Sequence, residues 1–140
     1  MIPTLLLDTG PLVAFLDRRE VLHHWSRRVF QRVQAPLLTC DAVLTEACFL
    51  LRHQREGPES VVRLVERGFV KSAFSLENEA ESVRRLIARY ASVPMSFADA
   101  CLVRMSEIHD AAILLTFDTE FTEYRRRRHG EILLLMPESL

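Results

Sequence analysis

The sequence predicts an α/β domain in which a mainly parallel sheet of about five strands is flanked by helices on both faces. Three observations predict it. Short apolar runs alternate along the chain with longer segments whose apolar residues recur at helical spacing. Cap and turn residues punctuate them. The 140 residues are 49% hydrophobic and 26% charged, the balance of one globular core, with no internal repeat, low-complexity tract or linker to divide it.

Thr4 to Leu7 is a buried strand, and Gly10 and Pro11 turn the chain into a short helix reaching Leu16. A second helix runs from Glu20 to Val33 and stops before Pro36. Leu37 to Thr39 is a strand, and Asp41 caps a helix that extends to about His53. Glu56, Gly57 and Pro58 break the chain before a helix from Glu59 to Arg67, which Gly68 closes. Phe69 to Phe74 alternates as a strand. Glu77 to Tyr90 carries Ala80, Val83, Ile87 and Tyr90 on one helical stripe. After Val93 and Pro94, Ser96 and Asp99 are spaced as a capping box, opening a helix that turns Ala98, Cys101, Leu102, Met105 and Ile108 inward and ends near Asp110. Ala112 to Leu115 is a strand, Glu120 to Arg127 a short helix, and Glu131 to Leu135 a last strand. Alternation of this kind makes parallel βαβ units.

Composition excludes several classes. The longest apolar runs, Leu5 to Leu7, Pro11 to Leu16 and Ile132 to Pro137, fall far short of the ~20 residues that span a bilayer. The start of the chain lacks the basic, apolar and cleavage regions of a signal peptide, so a cytoplasmic location is expected. Cys40, Cys48 and Cys101 have no zinc-type spacing and sit among apolar neighbours, which makes them core thiols. A net charge of −1 excludes nucleic-acid binding by bulk positive charge. Lys71 is the sole lysine beside 17 arginines, a bias toward forked contacts with carboxylates or phosphates.

Four acids carry the chemical argument. Asp8 lies just past the first strand and Asp118 just past the Ala112 to Leu115 strand, so both mark the edge where parallel strands end. Glu46 sits in the second turn of a helix that follows a strand, and Asp99 in the first turn of one that precedes a strand. Those helix beginnings share the same edge, where open α/β sheets bind ligands. Two carboxylates about 4 Å apart repel by roughly 4 kcal/mol at an effective dielectric near 20. Protons or a hard divalent cation must offset that repulsion, and an all-oxygen set suits Mg²⁺ or Mn²⁺ better than Zn²⁺. The chemistry implied is phosphodiester hydrolysis by an activated water, without a covalent enzyme intermediate.

At these residues the chain resembles the PIN-domain family, and within it the VapC-type toxin nucleases of toxin–antitoxin pairs. The resemblance runs through Leu5-Leu6-Leu7-Asp8-Thr9-Gly10-Pro11-Leu12, Leu44-Thr45-Glu46, Ser96-Phe97-Ala98-Asp99-Ala100 and Leu115-Thr116-Phe117-Asp118-Thr119-Glu120-Phe121, and so covers nearly the whole chain. It implies a single PIN-like domain over residues 1–140 in which Asp8, Glu46, Asp99 and Asp118 bind the metal, with Thr9 or Thr116 as supporting polar groups. It also implies single-stranded or looped RNA as substrate, a homodimer, and an antitoxin that blocks the site.

Other residues have plainer readings. Asp17, Asp41 and Asp110 are a helix-end acid, a cap and a loop acid, and Glu120 is an outer-shell candidate. The histidines His23, His24, His53, His109 and His129 form no metal-binding spacing, and ordinary surface positions near helix ends account for them. Arg125, Arg126, Arg127 and Arg128 follow Asp118 closely enough to meet RNA phosphates; a solvated helix face is the alternative. A haloacid-dehalogenase phosphatase wants a second Asp where Gly10 stands, and a receiver domain wants a late lysine that is missing. A non-catalytic PIN-like module is disfavoured because the acids are present. A housekeeping RNA-processing PIN nuclease remains the alternative to a toxin, and the short chain leans toward the toxin.

Overall fold

A computed structural model describes residues 3–126 and 130–138. The chain runs β1 (Leu5–Leu7), α1 (Thr9–Leu16), α2 (His23–Arg32), β2 (Leu37–Thr39), α3 (Asp41–Leu50), α4 (Gly57–Glu66), β3 (Val70–Ser72), α5 (Leu76–Arg89), α6 (Phe97–Ile108) and β4 (Ile113–Leu115), then a 3-10 turn (Thr119–Thr122), β5 (Arg125–Arg126), β6 (Gly130–Glu131) and β7 (Leu134–Leu135). Five strands form one parallel sheet in the order β3-β2-β1-β4-β7. From β1 the chain steps outward to β3 and then returns to β4, so the order reverses between β1 and β4. Right-handed crossovers therefore put the two sets of connecting helices on opposite faces. Accordingly α1 packs on α2 and α3, α3 on α4, and α5 on α6.

Leu6, Leu7, Leu114 and Leu115 are fully buried, with Leu6 opposite Leu38 on one side and Leu114 on the other. Strands covered on both faces read as continuous apolar runs, which is why β1 and β4 carry leucine without alternation. Among the described residues no helix is long and apolar enough to cross a membrane.

Several boundaries and faces differ from expectation. α2 begins at His23 rather than Glu20, because Asp17 accepts the Arg19 N–H (2.9 Å) and holds a turn ahead of it. His23 is buried rather than at the surface, its Nδ1 2.7 Å from the Ala14 carbonyl. Asp41 is the first residue of α3, not its cap, and its carboxylate accepts the Ser72 hydroxyl at the end of β3. Gly57 and Pro58 open α4 instead of preceding it. A Cβ on Gly57 would lie 2.1 Å from the Leu51 carbonyl oxygen, so only glycine fits there. On α5 the buried residues are Val83 and Leu86, with half-buried Tyr90 following them, while Ala80 and Ile87 are exposed. Glu79 faces inward in place of Ala80, because Arg104 of α6 donates to its Oε1 through Nε (3.2 Å) and Nη2 (3.1 Å). Ile108 is exposed, not turned inward.

The largest departure is at the C-terminus. The helix expected over Glu120 to Arg127 is a 3-10 turn followed by β5, which pairs antiparallel with β6. Tyr124 and Arg126 both face inward, and that period of two is extended chain. The single strand expected over Glu131 to Leu135 is two: Glu131 pairs with Arg125, Leu134 with Leu114, and buried Ile132 lies between.

Candidate active site

The sheet ladder continues one residue beyond β1, where the Asp8 N–H donates to the Leu115 carbonyl (3.0 Å). Asp8 is thus fixed at the C-terminal edge, and its Oδ1 accepts the Thr9 N–H (2.7 Å) as the cap of α1. Thr116 occupies the matching place after β4, its N–H on the Leu135 carbonyl (3.2 Å). The Thr116 hydroxyl donates to Asp8 Oδ2 (2.6 Å) and accepts the Asp118 N–H (2.9 Å), so one side chain ties the two acids together. Asp118 in turn caps the 3-10 turn by accepting the Glu120 N–H (2.8 Å). On the α3 side, the Thr9 hydroxyl donates to Glu46 Oε2 (3.2 Å). The predicted capping box is formed: Ser96 Oγ accepts the Asp99 N–H (3.0 Å) and Asp99 Oδ2 the Ser96 N–H (3.2 Å).

Asp8, Glu46, Asp99 and Asp118, from four separate segments, line a single cleft of about 510 Å³. Glu120 joins them, and Leu50, Pro94 and Phe117 supply apolar wall. This is the crevice where strand order reverses, the usual ligand position in open α/β sheets. Phe117 closes over α1 because residue 10 is glycine: an added Cβ there would meet its ring at 3.0 Å.

The electrostatics follow from burial and crowding. Burial pushes the Asp8 carboxyl up to about 6, against the lowering effect of the Thr116 and Thr9 hydrogen bonds, and the carboxylates of Asp99 and Asp118 add to the rise. Asp99 is raised as well, by burial first and Asp118 next. Among the described residues lining the cleft there is no lysine, arginine or histidine. Carboxylate oxygens of Asp99, Asp118 and Glu120 come within 4.8 Å of one another, close enough to share an ion. An uncompensated, all-oxygen donor set of this kind fits a hard divalent cation.

Asp8, Thr9, Glu46, Asp99 and Asp118 line the cleft together with Glu120, and Thr116 bonds to Asp8; the carboxylates whose oxygens come within 4.8 Å of one another are those of Asp99, Asp118 and Glu120. Neither Arg125 nor Arg126 lines the cleft. The Arg126 side chain is 7% exposed and points into the fold, where Nη1 donates to the carbonyls of Ser106 (3.1 Å) and Asp110 (2.9 Å). Arg125 donates through Nη1 to the Tyr124 carbonyl (3.0 Å). Arg127 and Arg128 lie outside the described residues. Sequence reasoning missed Tyr124, fully buried, whose hydroxyl reaches Asp99 Oδ2 (3.2 Å) and Glu120 Oε2 (3.3 Å). Its position four residues after Glu120 was the only local signal.

No curated protein matches the chain. PIN domains are in general metal-dependent nucleases, and the cleft described above is compatible with that chemistry. Residues 5–127 match the family model described as PIN domain, and the chain belongs to that family.

Proposed function

We propose that the protein is a Mg²⁺- or Mn²⁺-dependent endoribonuclease that hydrolyses RNA phosphodiester bonds with an activated water, acting as the toxin of a toxin–antitoxin pair. One observation carries the nuclease reading: carboxylates from four remote segments open on one cleft with no basic side chain lining it among the described residues. Acids so placed repel one another when ionised, and a bound cation offsets that repulsion. In this reading Asp8, Glu46, Asp99 and Asp118 hold the ion. A divalent cation bound there lowers the pKa of water and offsets negative charge on the phosphate oxygens.

The chain's own residues do the positioning. Thr116 restrains Asp8 and Asp118 together, and Thr9 restrains Glu46. Leu50, Pro94 and Phe117 bound the cleft on its apolar side. Support for the toxin role comes from the likeness of the four motifs to VapC-type nucleases, which carries with it a cytoplasmic homodimer inhibited by an antitoxin protein.

The test is cleavage of single-stranded RNA by the purified protein. Mg²⁺ or Mn²⁺ should support it, a chelator should abolish it, and Asp8→Asn should remove it with the fold intact. Cleavage that survives chelation contradicts the reading. For the toxin role, induced expression should arrest growth, and co-expression of the product of an adjacent short reading frame should relieve the arrest; unimpaired growth counts against it.

A further inference from the structure

We propose that Tyr124 is a positioning residue of the cleft, whose hydroxyl sets the separation of Asp99 and Glu120 and so makes Glu120 a working member of the cation-binding set. The inference rests on the nuclease reading above. A phenol has one proton to give, yet the Tyr124 hydroxyl lies within reach of three acceptors: Asp99 Oδ2 (3.2 Å), Glu120 Oε2 (3.3 Å) and the Pro94 carbonyl (3.4 Å). Each distance is long for an O–H···O bond, as expected of one donor shared among several acceptors.

The ring cannot follow if the acids move. It is fully buried, edge-on to Phe121 (5.4 Å between centroids) and Tyr90 (5.1 Å), and the next residue is held by its N–H on the Tyr90 hydroxyl (2.8 Å). The hydroxyl is therefore a fixed point between an acid of α6 and an acid of the 3-10 turn, elements separated in sequence by β4. Asp99, Glu120 and Asp118 are also the three acids whose oxygens approach within 4.8 Å. Groups that orient metal ligands in this way typically matter by 10- to 100-fold in metal affinity.

Tyr124→Phe keeps the ring and removes only the donor. Calorimetric titration of Mn²⁺ into this variant should give a Kd raised roughly tenfold over the wild type. The Mn²⁺ concentration for half-maximal RNA cleavage should rise by the same factor, with the rate at saturating Mn²⁺ changed much less. Glu120→Gln should also weaken binding about tenfold, and the double variant should be weaker by less than the product of the two factors, because the tyrosine acts through the glutamate. Unchanged Mn²⁺ affinity in Tyr124→Phe overturns the inference while leaving the nuclease reading intact. Should that variant fail to fold, unchanged affinity in Glu120→Gln overturns it instead. Absence of Mn²⁺ binding by the wild-type protein overturns both.

Discussion

Asp8 and Glu120 look into the same cavity from walls of different construction. The wall around Asp8 is sheet: its backbone extends the β1–β4 ladder, and its carboxylate is gripped by Thr116 and Thr9, residues that immediately follow or adjoin strand ends. The wall around Glu120 is made of side chains, with Tyr124 reaching across to Asp99 and Arg126 anchored on carbonyls at the end of α6. Ladder geometry positions a residue to within the tolerance of backbone hydrogen bonds. A wall of side chains keeps its shape only while its packing does, so the two sides of one site should respond differently to substitution.

The largest effect is expected on the sheet wall. Asp8→Asn should lower cleavage by more than about a hundredfold, beyond the range for groups that merely orient a ligand, and thermal unfolding should show a folded protein. A variant that cleaves normally would remove Asp8 from the site. Thr116→Val takes away both the donor to Asp8 and the acceptor of the Asp118 N–H. Stability should drop by about 1–3 kcal/mol, cation affinity by roughly tenfold, and the acid limb of the activity profile should move to higher pH as Asp8 loses a bond that favours its charged form.

On the other wall, Arg126→Met should cost about 2 kcal/mol of stability through lost charged hydrogen bonds, yet leave the salt dependence of RNA binding unchanged. A guanidinium on phosphate would instead reduce the slope by about 0.7 per contact. Denaturant and salt titrations separate these outcomes. The smallest effect is in the pH dependence of the cation-free protein. Asp8 is raised from 3.8 to about 6 on folding, so its contribution to stability is complete below pH 3.8 and is lost as pH rises through 6. Between pH 5 and 7.5 that loss should be about 1 kcal/mol, and Asp8→Asn should flatten it.

The same contrast explains what could be read from the chain. Strand ends and capping boxes are local patterns, so Asp8, Asp118 and the Ser96–Asp99 box were legible, and with them the edge on which the acids meet, whereas Thr116 came only through the family resemblance. The parallel sheet followed from alternation alone. Where two readings satisfied the same period, a distant partner chose between them. The α5 stripe could have been 80-83-87 or 79-83-86, and the Arg104–Glu79 pair selects the second. Phe121 and Tyr124 have helical spacing, but β6 offers Arg125 and Arg126 strand partners and the chain extends. Tyr124 was invisible as a site residue because its role depends on Asp99, 25 positions away.

The central claim is that crowded carboxylates make this cleft take up a divalent cation, and the most direct measurement is the melting temperature of the wild-type protein at pH 7.5 as Mn²⁺ is added. Linkage predicts a saturable rise, abolished in Asp8→Asn, because a ligand that binds only the folded form stabilises it. A melting temperature that stays flat across millimolar Mn²⁺, or rises equally in the variant, would contradict the account.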